Sequence, residues 1–133
     1  MMRILVVEDE PLIALVVKGT LVRAGHEVLG PVASVSAALE LAHDHSVDLA
    51  LLDVNLGRGG NGIDLARRLH DRHRIVSLFA SASYREACQA SDVAMGLLNK
   101  PYGEPELVLA VDVAATILAG GKATRVPNGL ELF

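Results

Sequence analysis

The run from Val47 to Asp53, Val-Asp-Leu-Ala-Leu-Leu-Asp, constrains this chain most. Its apolar stretch does not alternate with polar residues, so a strand made from it is covered on both faces, as in the middle of a parallel sheet. It also ends in a carboxylate, Asp53, where a strand would hand over to a loop. Other short apolar runs flank it, each followed by a helical pattern, and that alternation is the signature of βαβ units.

Five strand and helix pairs can be read. Ile4 to Val7 is a buried strand, followed by a helix from Glu10 to Ala24 with Asp9 placed to cap it and Pro11 in its first turn. Ile13, Val16, Val17, Thr20 and Leu21 recur at helical spacing and are expected on the inner side. Val28 to Val32 is a second strand whose Pro31 lacks an amide hydrogen and belongs near a sheet edge. Ser34 or Ser36 caps a second helix through Leu41 and Ala42. After the central strand, the glycine-rich loop Gly57 to Gly62 leads to a helix with Ile63, Leu65, Ala66 and Leu69 inside. Ile75 to Ala80 and Val93 to Leu98 are the fourth and fifth strands, with a short helix, Tyr84 to Ala90, between them. Glu104-Pro105-Glu106 opens a last helix to Ala119, its acids in the positive first turn. The expected fold is α/β: a flavodoxin-like, doubly wound sheet of five parallel strands in the order 2-1-3-4-5, with helices on both faces.

A length of 133 residues suits one domain, read as residues 1–119, with 120–133 as a tail carrying no output domain. The lone Cys88 excludes an internal disulfide and implies a reducing compartment. The apolar run after Met1 is too short for a signal peptide, and no run of about 18 apolar residues marks a membrane span, so a cytoplasmic location is expected. Net charge is −4 and the basic residues are scattered apart from Arg67-Arg68 and Arg72 to Arg74, which disfavours direct DNA binding.

In an open parallel sheet, ligands bind beyond the carboxyl ends of the strands, where strand order reverses. That places Glu8 and Asp9 after the first strand, Asp53 after the third, Ser81 just beyond the fourth and Lys100 just beyond the fifth around one pocket. Carboxylates at close quarters resist ionising together unless a cation joins them, and an all-oxygen set suits Mg²⁺. An aspartate can attack phosphorus as a covalent nucleophile, and a lysine ammonium can neutralise a phosphate oxygen. The set has the makings of a phosphoryl-transfer site.

Three strings carry a resemblance: Ile4-Leu5-Val6-Val7-Glu8-Asp9-Glu10, Leu51-Leu52-Asp53-Val54-Asn55-Leu56 and Asn99-Lys100-Pro101-Tyr102. Over residues 3 to 119 the chain resembles the receiver domain of response regulators in bacterial two-component systems. Phe79-Ala80-Ser81-Ala82-Ser83 also resembles the Phe-Ala-Thr-Gly-Tyr variant of stand-alone alphaproteobacterial receivers, with Ala82 and Ser83 departing from it. The resemblance implies that Asp53 is the phosphoacceptor. It also implies that Glu8, Asp9, Asp53 and the backbone carbonyl of Asn55 hold Mg²⁺, that Ser81 hydrogen-bonds the phosphoryl group and that Lys100 pairs with it. A cis Lys100-Pro101 peptide is part of the same expectation. The implied role is a signalling switch rather than an enzyme, phosphorylated by a histidine kinase or phosphotransfer protein and acting through a downstream protein partner. Two positions depart from the family pattern: Leu97 stands where an aromatic residue usually turns inward on activation, and Gly57 where proline is common.

Each residue also has a plainer reading. The acids at 8 to 10 could cap a helix, Asp53 could open a turn and Lys100 could be a solvated loop charge. Ser83 could supply the hydroxyl in place of Ser81. The loop Gly57 to Gly62 lacks the Gly-Lys-Ser/Thr ending of a phosphate loop. His43, His45, His70 and His73 lack the partners of a metal set. Arg67, Arg68, Arg72 and Arg74 read as a solvated helix face. The last helix is apolar almost all round, with Asp112 its sole charge between Leu107 and Ala119. It is expected to be covered, either by a homodimer or by Leu130, Leu132 and Phe133 of the tail. Two rival functions stay open: a phosphate-independent adaptor, and a Mg²⁺-dependent phosphohydrolase, which would need an acid where Asn55 stands.

Overall fold

A computed structural model describes all of residues 1–133. In chain order the elements are β1 (Arg3–Val7), α1 (Pro11–Arg23), β2 (Glu27–Val32), α2 (Val35–Asp44), β3 (Leu49–Leu52), α3 (Gly62–His73), β4 (Ser77–Ser81), α4 (Tyr84–Ala87), β5 (Ala94–Asn99), α5 (Glu104–Leu118) and β6 (Leu130–Leu132). Short 3-10 turns occupy Gly57–Gly59 and Cys88–Ala90. The sheet order is β2-β1-β3-β4-β5-β6. The first five strands are parallel as expected, and β6 adds an antiparallel edge that the sequence reading did not foresee.

Every residue of β3 is buried, which is why its sequence does not alternate. Successive side chains point to opposite faces. Leu49 and Leu51 therefore join Ile4, Val6, Leu78 and Leu98 in one core beneath α1 and α5. Ala50 and Leu52 join Leu5, Val7, Phe79 and Leu97 in the other, beneath α2, α3 and α4. Burying one such aliphatic or aromatic side chain stabilises the fold by about 1.5–3 kcal/mol, so two continuous cores hold the strand ends in fixed register.

Local details correct several expectations. Asp9 does not cap α1: Glu10 holds the cap position, without a side-chain hydrogen bond, and Asp9 faces the site described below. Val16 is half exposed, while Val17, Thr20 and Leu21 are buried as expected. Ser34 is the serine that caps α2, accepting a hydrogen bond from the Ala37 amide at 3.2 Å. Pro31 lies on the edge strand β2, and its bond to Gly30 is cis. Ser81 is the last residue of β4 rather than just beyond it. Arg67 is not simply solvated, because its guanidinium bonds Asp92 at 2.9 Å and the Gln89 carbonyl, tying α3 to the segment after α4. No helix is long and apolar enough to cross a membrane.

Candidate functional site

The carboxyl ends of β1, β3, β4 and β5 lie side by side, and backbone bonds fix the residues that follow them. The Glu8 amide donates to the Val32 carbonyl at 2.9 Å, the Asp53 amide to the Val7 carbonyl at 3.1 Å, and the Lys100 amide to the Ser81 carbonyl at 3.0 Å. Each functional side chain is thus anchored one step from a buried strand. Beneath Asp53, a Cβ on Gly62 would sit 2.0 Å from the Asp53 carbonyl oxygen, so only glycine lets α3 begin that close. Asn61 caps the same helix, accepting from the Ile63 amide at 2.7 Å, and bridges to Asn55 across the loop.

Ligand oxygens of Glu8, Asp9 and Asp53 all lie within 4.8 Å of one another. The Lys100 amine donates to Glu8 Oε1 at 2.7 Å and to Asp53 Oδ2 at 2.9 Å. The other Asp53 oxygen accepts a long bond, 3.3 Å, from the Asn55 amide. Burial pushes the Glu8 carboxyl above its ordinary value, and the hydrogen bonds from Lys100 and the Glu10 amide oppose that without reversing it. Burial also works against the charge on Lys100, yet its bonds to Glu8 and Asp53 prevail and hold the ammonium above the usual lysine range. If all groups are ionised, three negative charges meet one positive charge, which leaves two uncompensated. A hard divalent cation with oxygen ligands fits that donor set.

A cleft of about 320 Å³ opens over this cluster, lined by Asp9, Glu10, Asp53, Asn55, Gly57, Ser81, Ala82, Ser83 and Lys100. Glu8 is buried beside Lys100 and Asp53, so the six residues singled out from the sequence meet at one place. Ser81 and Ser83 both line the cleft, and the Ser81 hydroxyl accepts from the Ser83 amide at 3.2 Å. The Lys100-Pro101 peptide is cis.

Sequence reading missed the neighbouring groove, about 560 Å³, where Leu12, Ile13, Val16 and Val17 of α1 face Ala82, Lys100, Pro101 and Tyr102. Burial pushes the Tyr102 hydroxyl up to about 12. The available signal was the number of apolar residues in α1, more than one buried face can use. The roles of Gly62 and Asn61 were also missed, although an Asn-Gly pair between strand and helix is a strong turn marker.

A family model for the response regulator receiver domain matches residues 4–112. The transcriptional regulatory protein PdtaR of Mycobacterium tuberculosis is 33% identical over 117 residues, which cover 86% of this chain and 57% of PdtaR. The chain therefore spans little more than half the length of that relative. Among solved structures, the signal receiver domain of a modulated diguanylate cyclase from Desulfovibrio desulfuricans superposes with a TM-score of 0.80 at 27% identity, covering 90% of this chain and 97% of that one. The N-terminal domain of a response regulator/sensory box/GGDEF protein from Carboxydothermus hydrogenoformans gives 0.79 at 26% identity, with 89% and 97% covered. With the sheet order, the acidic cluster and its lysine in place, these matches establish that the chain belongs to the response regulator receiver domain family of bacterial two-component signalling.

Proposed function

We propose that the chain is a phosphorylation-operated switch in which Asp53 accepts a phosphoryl group from a phosphohistidine on a histidine kinase or phosphotransfer protein. The observation that carries this reading is the Lys100 amine set between Glu8 and Asp53, at the mouth of a cleft with a third carboxylate, Asp9, beside it. An Asp53 oxygen forms the new P–O bond, the donor's P–N bond breaks, and the released imidazole takes up a proton. Lys100 leaves Asp53 as an ion-pair partner and meets the phosphoryl oxygens instead, and the Ser81 hydroxyl donates to another of them. These groups supply position and charge cancellation, which is most of what phosphoryl transfer requires. Glu8, Asp9, Asp53 and the Asn55 carbonyl are the residues that would hold Mg²⁺, which when bound would offset charge on the transferred group.

The apolar groove beside the cleft supports a protein donor: Leu12 and Val16 of α1 are exposed in a groove that Lys100 also lines, next to the cleft over Asp53. Asn55, two residues after Asp53, cannot act as an acid or base, which weighs against rapid turnover as a phosphohydrolase. Output passes by contact with a downstream protein.

The test is intact mass after incubation with Mg²⁺ and acetyl phosphate. A phosphoryl adduct that disappears on chelation of the metal and in Asp53→Asn is expected. An adduct that persists in Asp53→Asn, or none in the wild-type chain, refutes the proposal.

A further inference from the structure

The strand β6 lies along the outer edge of β5, with Leu132, Glu131 and Leu130 paired to Gly96, Leu97 and Leu98. The Phe133 amide continues the ladder to the Met95 carbonyl at 3.0 Å. Gly96 makes the approach possible, because a Cβ there would lie 2.4 Å from the Glu131 carbonyl oxygen. Of the side chains, only Leu130 is buried, in the core beneath α5, whereas Leu132 and Phe133 stay about 40% exposed. A three-residue strand held by one leucine and a short ladder is anchored lightly.

Beyond the ladder, the segment is held by side-chain hydrogen bonds at Asn99. The Asn99 amide donates to the Gly129 carbonyl at 2.8 Å, and the side-chain amide donates to the same carbonyl at 3.1 Å and to Glu131 Oε2 at 3.0 Å. Asn99 is also the register partner of Ser81 and the residue before Lys100, whose amide bonds the Ser81 carbonyl. The two groups that would grip a phosphoryl group therefore flank the latch, one in sequence and one across the sheet.

We infer that β6 is a strap seated on the β5 edge, that phosphorylation of Asp53 loosens it through Asn99, and that the freed edge is a docking site for an extended strand of a partner protein. This rests on Asp53 being the phosphoacceptor. The phosphoryl group brings a charge of about −1.5 to −2 and three acceptor oxygens to the cleft, drawing Lys100 and Ser81 toward it. Hydrogen bonds weaken steeply with misalignment, so a latch made of three of them on one residue is sensitive to a small shift of its backbone. Once β6 leaves, β5 presents unpaired N–H and C=O groups and the seat of Leu130, which suits strand addition with a leucine at that position.

Acetyl phosphate transfers its phosphoryl group to Asp53 with loss of acetate, so the full chain can be examined with and without it in the presence of Mg²⁺, intact mass reporting the adduct. In the phosphorylated chain, hydrogen exchange at the Phe133 and Asn99 amides is expected to speed up about tenfold or more. A fluorescent peptide of the sequence Val126 to Phe133 is expected to bind that form about tenfold more tightly than the unmodified one. Glu131→Ala, which removes one latch bond from an exposed residue, raises exchange before phosphorylation and narrows the difference between the two states. An adduct with unchanged or slower exchange, or with equal peptide binding in both states, overturns the strap while leaving the phosphoacceptor intact. Absence of any adduct overturns both.

Discussion

Two helices pack on the same face of the sheet and meet opposite fates. Helix α5 is apolar along nearly its whole length, yet Leu107, Ala110, Val111, Val113 and Ala114 are all buried. Helix α1 buries Ala14, Val17, Thr20 and Leu21 but leaves Leu12, Leu15, Val16 and Val22 between 51% and 79% exposed. The difference lies in their neighbours. On its far side α5 has the chain returning through Ala123 to Leu130, which join its core, whereas α1 faces solvent beyond α5 and the edge strand β2. A surplus of apolar residues marks an interface only after the rest of the chain has taken its share, and here the surplus is on α1, next to the acidic cleft.

The contrast can be broken most severely in α5. Leu107→Ala, at a 1% exposed position, is expected to cost about 2–5 kcal/mol, read from denaturant midpoints, whereas Leu15→Ala should stay within about 0.5 kcal/mol. Equal effects would mean that the two helices are not differently covered. The functional counterpart is Leu12→Asp with Val16→Asp on α1. That double variant should slow phosphotransfer from an autophosphorylated histidine kinase about tenfold or more, with labelling by acetyl phosphate unchanged. An equal loss with both donors would remove α1 from the docking surface. Leu130→Ala is expected to cost less than Leu107→Ala, about 1 kcal/mol, because β6 can detach locally without opening the core.

A further contrast concerns the groove itself. Tyr102 keeps its proton to about pH 12 in the folded chain, against an ordinary 10.0. Stability from this source is therefore complete below about pH 10 and is lost as the pH rises through about 12. Tyr102→Phe should flatten that part of the pH–stability curve, measured by urea unfolding at about pH 9 and about pH 11. An unchanged slope would show that the hydroxyl is not buried against α1.

The sequence made the parallel sheet legible because β3 does not alternate, and the site legible because Glu8, Asp9, Asp53 and Lys100 each follow an apolar run. Position at a strand end is a local signal, so the cluster could be found from segments far apart in the chain. Three things were not local. Asp9 reads in sequence both as a helix cap and as a pocket carboxylate, and only the neighbouring strand ends decide between the two by setting it beside Glu8 and Asp53. Val16 is expected on the inner side beside Val17 yet is half exposed, because a helix with so many apolar residues has too weak a periodicity to choose between adjacent ones. Leu130-Glu131-Leu132 is too short to announce a strand, and nothing near it in sequence names β5 as its partner. Docking of the tail was anticipated as one of two ways to cover α5. Of the three residues nominated, however, only Leu130 is buried, and the segment pairs with the sheet edge.

The central claim is that one carboxylate, that of Asp53, takes the phosphoryl group. After Mg²⁺-dependent labelling, borohydride reduces an acyl phosphate to an alcohol, and peptide mass mapping then locates the reduced residue. The account predicts homoserine at position 53 and at no other aspartate. Reduction at Asp9, or a label that resists borohydride and maps to Ser81 or Ser83, would contradict it.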